Sequence, residues 1–458
     1  MQRISHILHR LVILFPCLLL AGGCAINPAV QAPSTQGTGT QGTTTQGTTG
    51  CTGSCTPYIL LTPFVLGLKP GVSFTFSATA GNVADRSVTW SIKEGSAGGI
   101  ITDGGLYTAP AVEGVYHVIA TSKASSSLSA TSTVAVTSTE LTAAGKMSTA
   151  RYYHTASLLP SGQVFIAGGM NDDYDFADPA ELYDPAAGEF HDAGQVSRLT
   201  HSATVLANGD VLLAGGLLPD HQTASSTADL RKAGNGVIQP TGSMNSSRSN
   251  HSATLLQDGR VLLAGGTTES AKPTQTAELY DPATGKFTSA GNMATPRSGH
   301  SAALLPNGKV LIAGGAAGAE LYDPATNTFL AARGVSEGRC NATATPLADG
   351  RVLIAGGVDC FNPLLDTAEI YDPSTGQSTP TGKLVVAQAF HTATLLPDGR
   401  VLLVGGSPLV VTQIYNPATG SFTFGPHLAS LGSGHTATLL RDGSVLIAGG
   451  GVDYEIYK

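Results

Sequence analysis

The sequence predicts an all-β protein, a small sandwich followed by a ring of seven repeated four-stranded sheets. Three observations carry that expectation. The 458 residues include 57 Gly and 25 Pro, with 41 % apolar and only 12 % charged residues, a composition of short strands and tight turns. Residues 57–138 alternate apolar and polar side chains with period two. From residue 143 onward one pattern recurs seven times. The net charge of −8 lacks the basic surface that generic binding to nucleic acid or anionic lipid requires.

The chain opens with Arg3 and Arg10, an apolar run over residues 11–20, and Ala21-Gly22-Gly23-Cys24. A basic start, a short apolar stretch and small residues before a cut read as a secretory signal peptide over 1–23. The small residues leading into Cys24 resemble a bacterial lipobox, although Ala21 stands where a Leu is usual. The resemblance implies lipidation of Cys24 and a chain tethered to the cell envelope, at the outer membrane in a Gram-negative host. Removing residues 1–23 loses two arginines and no acid, taking the net charge from −8 to −10. Residues 24–56 are rich in Thr, Gly and Gln and too poor in apolar groups to pack, so they form a linker. Four cysteines remain besides Cys24, an even number for an oxidising compartment, and the expected pairs are Cys51–Cys55 and Cys340–Cys360.

In residues 57–138 the runs Val72-Ser73-Phe74-Thr75-Phe76, Val88-Thr89-Trp90-Ser91-Ile92 and Val115-Tyr116-His117-Val118-Ile119 read as sandwich strands. Trp90, the sole Trp of the chain, is expected in their core. The stretch Gly104-Gly105-Leu106-Tyr107-Thr108-Ala109-Pro110 followed by Gly114-Val115-Tyr116 resembles bacterial immunoglobulin-like domains, which act as spacers or adhesion modules.

The repeat, over residues 139–458, combines a His, a Leu pair, a turn, an apolar run ending Ala-Gly-Gly, and Glu-Leu-Tyr-Asp-Pro. Its Gly-Gly pairs run from Gly168-Gly169 to Gly449-Gly450, 281 residues over six steps, or about 47 per repeat. A period of that size with four strand-like pieces is that of a propeller blade. The pattern resembles kelch repeats, the type also found in the galactose oxidase propeller, and implies a seven-bladed kelch-type β-propeller.

Each piece has a physical role. Strand a runs from the His to the Leu pair. The turns Ser161-Gly162, Asn208-Gly209, Asp258-Gly259, Asn307-Gly308, Asp349-Gly350, Asp398-Gly399 and Asp442-Gly443 suggest type I′ hairpins. Strand b, as in Val310-Leu311-Ile312-Ala313, suits burial on both faces. Strand c carries Tyr183, Tyr280, Tyr322, Tyr371, Tyr415 and Tyr457, with Arg231 instead in blade two. Strand d carries Phe190, Ile238, Phe287, Phe329 and Phe422, where kelch repeats usually have Trp, and Ser378 in blade five. After Tyr457 only Lys458 remains, while Leu141-Thr142-Ala143-Ala144-Gly145-Lys146-Met147 matches Phe287-Thr288-Ser289-Ala290-Gly291-Asn292-Met293 in register. Residues 139–144 are therefore expected to supply the outer strand of blade seven, an N-terminal strand that closes the ring and removes two open edges.

Two recurring residues invite chemistry. His154, His201, His251, His300, His391 and His435 begin strand a, with Ala342 in blade five. Spread one per blade, they cannot meet at one metal ion and read as a repeated structural hydrogen bond. Three residues earlier stand Arg151, Arg198, Arg248, Arg297 and Arg339, on the face shared by the d–a and b–c loops. Two roles fit them: forked donors for a ligand's carboxylates or sugar hydroxyls, or salt bridges inside each blade. They are the candidate ligand-binding residues. Asp172, Asp173, Asp175 and Asp178 lack the glycine and distal Glu of a defined calcium loop and read as a solvated acidic loop. The resemblance to galactose oxidase raises copper-radical chemistry, which needs two Tyr, two His and a Cys cross-linked to one Tyr. Tyr153-His154 and Phe390-His391 are the aromatic–His dipeptides at strand starts. The ring's cysteines have the disulfide as their role, so no cofactor or metal is expected.

The function expected from sequence is an envelope-anchored, monomeric binding or adhesion module, not an enzyme. It would recognise a protein or glycan at the cell surface through the b–c/d–a face, with the membrane met only through the lipid. The alternative is a carbohydrate-active enzyme, oxidase- or lyase-like, on the same face.

Overall fold

The computed structural model describes residues 56–458, apart from 64, 139–140, 336–337, 360–363, 407–410 and 429–433. The signal peptide, Cys24, the Cys51–Cys55 pair and Cys360 lie outside the described residues. The described part is all-β, with a single short 3₁₀ turn at Gly95–Gly98.

The N-terminal sheets form a sandwich. Strands Val65–Leu68, Ser129–Val136, Gly114–Ser122 and Val88–Ile92 make one sheet in that order. Against it lie the pair Tyr58–Thr62 with Ser77–Gly81 and the three-stranded sheet of Ser73–Thr75, Leu106–Thr108 and Ile100–Ile101. Period-two alternation sends Leu61, Phe76, Tyr107, Val118 and Val134 inward. Trp90 packs on this core, 6.3 Å from the Phe76 ring.

Seven four-stranded antiparallel sheets follow, each in the order a-b-c-d. Blade three shows the plan: Ser252–Leu255, Val261–Ala264, Thr274–Asp281 and Lys286–Arg297. Strand a of every blade contacts strand a of the next, and blade seven's Thr436–Leu439 contacts blade one's Thr155–Leu158, so the strands a ring the axis. Strand b is buried throughout in every blade, as the apolar runs require. The closing strand is present: Thr142–Arg151 pairs with Gly451–Tyr457 and completes blade seven. It runs on to Arg151 and so leads directly into strand a of blade one.

The hairpin turns differ from expectation. In each, only the Gly has positive φ, from +79° to +92°, and the preceding residue does not. The Gly162 N–H donates to the Leu159 carbonyl and the Leu159 N–H to that of Gln163. This is a type I turn with a left-handed Gly after it, a three-residue loop. Asn or Asp is favoured there because its side chain accepts the N–H two residues on, as Asp258 Oδ1 does from Arg260 at 3.0 Å.

At this same end of the sheets, strand c Tyr and strand d Phe pack in pairs. Tyr183–Phe190, Tyr280–Phe287, Tyr322–Phe329 and Tyr415–Phe422 have centroids 4.7–5.0 Å apart. In blade two Arg231 lies over the Phe165 ring of blade one instead. Blade seven reaches blade one through Tyr454, against Tyr183 and Phe190.

Candidate functional site

The candidate arginines are turned into the blades. Arg151, Arg248, Arg297 and Arg339 are at most 2 % exposed. Each pairs with a strand c glutamate of its own blade: Glu181, Glu278, Glu320 and Glu369. Each also donates to the first carbonyl of its blade's Gly-Gly pair, Gly168, Gly265, Gly314 and Gly356. In blade six Gln388 and Gln413 replace both members and meet amide to amide at 2.7 Å. The ligand-binding expectation for these four arginines is corrected, because their forks are filled by protein acceptors away from solvent. Arg198 differs. It pairs with Asp229 at 2.5 Å and lies at the wall of a cavity.

The Gly-Gly pairs are where one blade meets the next. In six of the seven pairs the second Gly donates its N–H to the following blade's Arg or Gln carbonyl, as Gly266 does to Arg297 and Gly450 to Arg151. A Cβ on Gly265, at φ +63°, would stand 2.6 Å from the Arg297 carbonyl oxygen.

The histidines form the matching side-chain ring. His201 Nε2 meets Thr155 Oγ1 at 3.0 Å, His251 meets Ser202, His300 meets Ser252, His391 meets Thr343 and His435 meets Thr392. His154 meets Thr436 across the closure, 2.9 Å away. At the junction where Ala342 replaces the His, Ser301 Oγ donates to the Ala342 carbonyl. Burial, seconded by the neighbouring arginines, pushes His154, His201, His251 and His300 down to about 3. Burial pushes His391 down to about 4. These imidazoles are neutral spacers between blades.

The residue just before the His position was weighed from sequence only at Tyr153 and Phe390, as aromatic–His dipeptides, and not as a recurring set. Tyr153, Thr200, Asn250, Gly299, Asn341, Phe390 and Gly434 all have positive φ, between +51° and +68°. Their backbones bond from blade to blade: Tyr153 N–H to Gly434, Asn250 to Thr200, Gly299 to Asn250, Asn341 to Gly299 and Phe390 to Asn341. They form a collar at the start of the innermost strands, on the d–a/b–c face. A Cβ on Gly299 would stand 2.8 Å from Asn341 Oδ1, so side chains here overlie their neighbours around the axis. The available signal was the recurrence of Asn and Gly, the residues that tolerate a left-handed backbone. Tyr and Phe tolerate it poorly, and Tyr153 is the collar's one titratable side chain.

The acidic b–c loop of blade one is built into this rim. Asp172 accepts from the Tyr152 hydroxyl at 2.9 Å. Asp178 accepts from Val196 N–H and Ser197 Oγ. Phe176 packs against His221 of blade two's b–c loop, ring centroids 5.2 Å apart and tilted by 58°. Among the described residues no three His, Cys, Asp or Glu side chains gather as a metal would need. Cys340 lies opposite Val358, and its expected partner Cys360 lies outside the described residues.

The fold and closed ring define the class, a sandwich followed by a seven-bladed propeller. No known family and no curated protein matches the sequence. Among solved structures the chain is similar to a novel fungal alcohol oxidase of the AA5 family in complex with copper. The TM-score is 0.57 and the identity 20 %, over 69 % of this chain and 75 % of that one. The likeness establishes the shared fold. It also overturns the expectation of a non-enzyme, since the propeller that this chain resembles is an oxidase. Copper itself does not fit the described residues: the six ring histidines already spend Nε2 on a neighbouring blade's hydroxyl and stand one blade apart.

Proposed function

We propose that this chain is an exported, envelope-tethered, carbohydrate-active enzyme that holds its substrate at the axial collar. The observation that carries the reading is the pair Tyr153 and Phe390, in left-handed backbone at φ +59° and +57°. Blades four and seven place Gly at the same position, so the geometry does not demand an aromatic ring. Non-Gly residues held in sparse backbone regions cluster at functional sites, where the surrounding structure maintains them. Aromatic faces suit the C–H face of a sugar ring, and Thr200, Asn250 and Asn341 add donors and acceptors. The Tyr153 phenol is the collar's group for moving a proton, an acid–base role rather than a metal-centred one. The similarity to an alcohol oxidase supports an enzyme scaffold, and the lipobox-like Cys24 and the linker support the tether.

Tyr153→Gly and Phe390→Gly test the reading without disturbing the backbone. The wild-type chain is incubated with plant and microbial polysaccharides while peroxide, new reducing ends and unsaturated products are followed. Turnover lost in both variants at unchanged melting temperature is the expected result. No product from any polysaccharide, or full activity in both variants, overturns the proposal.

A further inference from the structure

Blade two breaks the repeat at the carboxylate that partners its arginine. In blades one, three and four that Glu reaches past the Arg to the backbone N–H three residues before it. Ser148, Asn245 and Ala294 donate to Glu181, Glu278 and Glu320 at 3.0, 2.7 and 2.7 Å. In blade six the Gln413 carbonyl does the same for Val385. Asp229 is one methylene shorter. It binds the outer nitrogen of Arg198 but stops short of Gln195, the equivalent position. A cavity of about 190 Å³ takes the missing group's place, lined by Gln195, Arg198, Thr227, Asp229, Leu217 and Ile238. It opens on the d–a/b–c face, between the loop leading into strand a and the b–c loop of the same blade.

The cavity wall has a definite polarity. Nε of Arg198 meets no protein acceptor among the described residues; the equivalent atom binds Glu in blades one, four and five and is unpartnered in blade three as well. The Gln195 N–H, by contrast, loses the partner that its equivalents keep in blades one, three and four. Asp229 holds Arg198 through Oδ2, which leaves Oδ1 as an acceptor. Two donors and one acceptor thus surround an ion pair of zero net charge. An anion would face Asp229 and a cation Arg198, so charge selects against both. A neutral group with adjacent hydroxyls satisfies all three, and Leu217 and Ile238 offer an apolar floor for its C–H face.

We infer that blade two carries a saccharide-binding subsite. One sugar hydroxyl accepts from Arg198 Nε and Gln195 N–H, donors whose equivalents the two oxygens of a Glu share in blades one and four. The adjacent hydroxyl donates to Asp229 Oδ1. The subsite stands apart from the collar and requires no turnover there.

Asp229→Glu restores the repeat's own side chain and fills the site. Ile238→Phe, the residue that four other blades carry at this position, fills it from the apolar side. The methyl β-glycosides of D-glucose, D-galactose and D-xylose are titrated into the folded chain and followed by calorimetry and ligand-observed NMR. Saturable binding of at least one glycoside is expected, weakened tenfold or more in both variants and retained in Tyr153→Gly. D229E should melt at the wild-type temperature or above it. Absence of binding by wild type to all three glycosides, or unchanged affinity in a folded D229E or I238F, overturns the inference. Loss of binding in Tyr153→Gly with retention in D229E would place the sugar at the collar instead and overturn it equally.

Discussion

Mild acid should unfold this protein through its histidine ring, well before its carboxylates titrate. His154, His201, His251, His300 and His391 sit at about 3 to 4 in the folded state, against 6.5 for a free imidazole. Burial is the main cause. Nδ1 of each has no hydrogen-bond partner, so an imidazolium would bury an unpaired N–H as well as a charge. The folded value is depressed, so between pH 6.5 and about 4 the unfolded chain binds more protons. The stability these groups contribute is complete above pH 6.5 and is lost as the pH falls. Each histidine contributes a slope of about 1.4 kcal/mol per pH unit. At pH 5, about one and a half units below the free value, each has lost about 2 kcal/mol and the five together about 10 kcal/mol. That equals the whole stability of an ordinary domain. Aspartates and glutamates in the unfolded chain titrate near 4, below this window. The assay is denaturant unfolding followed by circular dichroism, in half-unit steps from pH 7.5 to 5. The expected slope corresponds to uptake of about five protons on unfolding, falling to about four in His300→Gln. A flat stability profile over that range, or ring histidines that titrate near 6.5 in the NMR spectrum of the folded protein, would refute the reasoning.

Two further outcomes follow from the same junctions. Arg248→Ala should destabilise by about 3–5 kcal/mol, because it strands a buried Glu278 carboxylate. The double substitution Arg248→Gln, Glu278→Gln should recover most of that loss, since blade six holds Gln388 and Gln413 in this arrangement; urea melts of the three proteins decide it. Gly265→Ala should cost more than about 1 kcal/mol from the left-handed backbone alone, with the contact to the Arg297 carbonyl adding to it; a thermal melt indistinguishable from wild type would contradict the assigned role of the Gly pairs.

Much of this architecture was legible in the residues. Seven Gly-Gly pairs at a steady spacing set the number of blades, and the match between the Leu141 and Phe287 segments placed the closing strand. Strand b was legible because a four-residue apolar run has no polar face to expose. The turn type was not, since Gly in second place serves both a type I′ turn and a type I turn with a left-handed Gly after it. What separates them is the φ of the preceding Asn or Asp, and its side-chain bond to the N–H two residues on. Two roles were open for the arginines from sequence, and for Arg151, Arg248, Arg297 and Arg339 the structure shows the salt bridge inside the blade. The clue lay in blade six, where the Arg and the strand c Glu are both replaced by Gln. Paired replacement of that kind is what a buried ion pair leaves in a repeat.

The sequence by itself determined the all-β class, the sandwich ahead of the ring, the order of strands within a blade and the way the ring closes. These follow from local periodicity and turn chemistry, which each short stretch carries in its own residues. Only the tertiary structure decided which recurring polar groups hold the blades together and which meet solvent. Arg248 finds Glu278 30 residues away, and His154 finds Thr436 across 282. Burial and hydrogen bonding at those positions depend on partners that the chain brings together only when the circle is complete, and so does the collar that Tyr153 and Phe390 share.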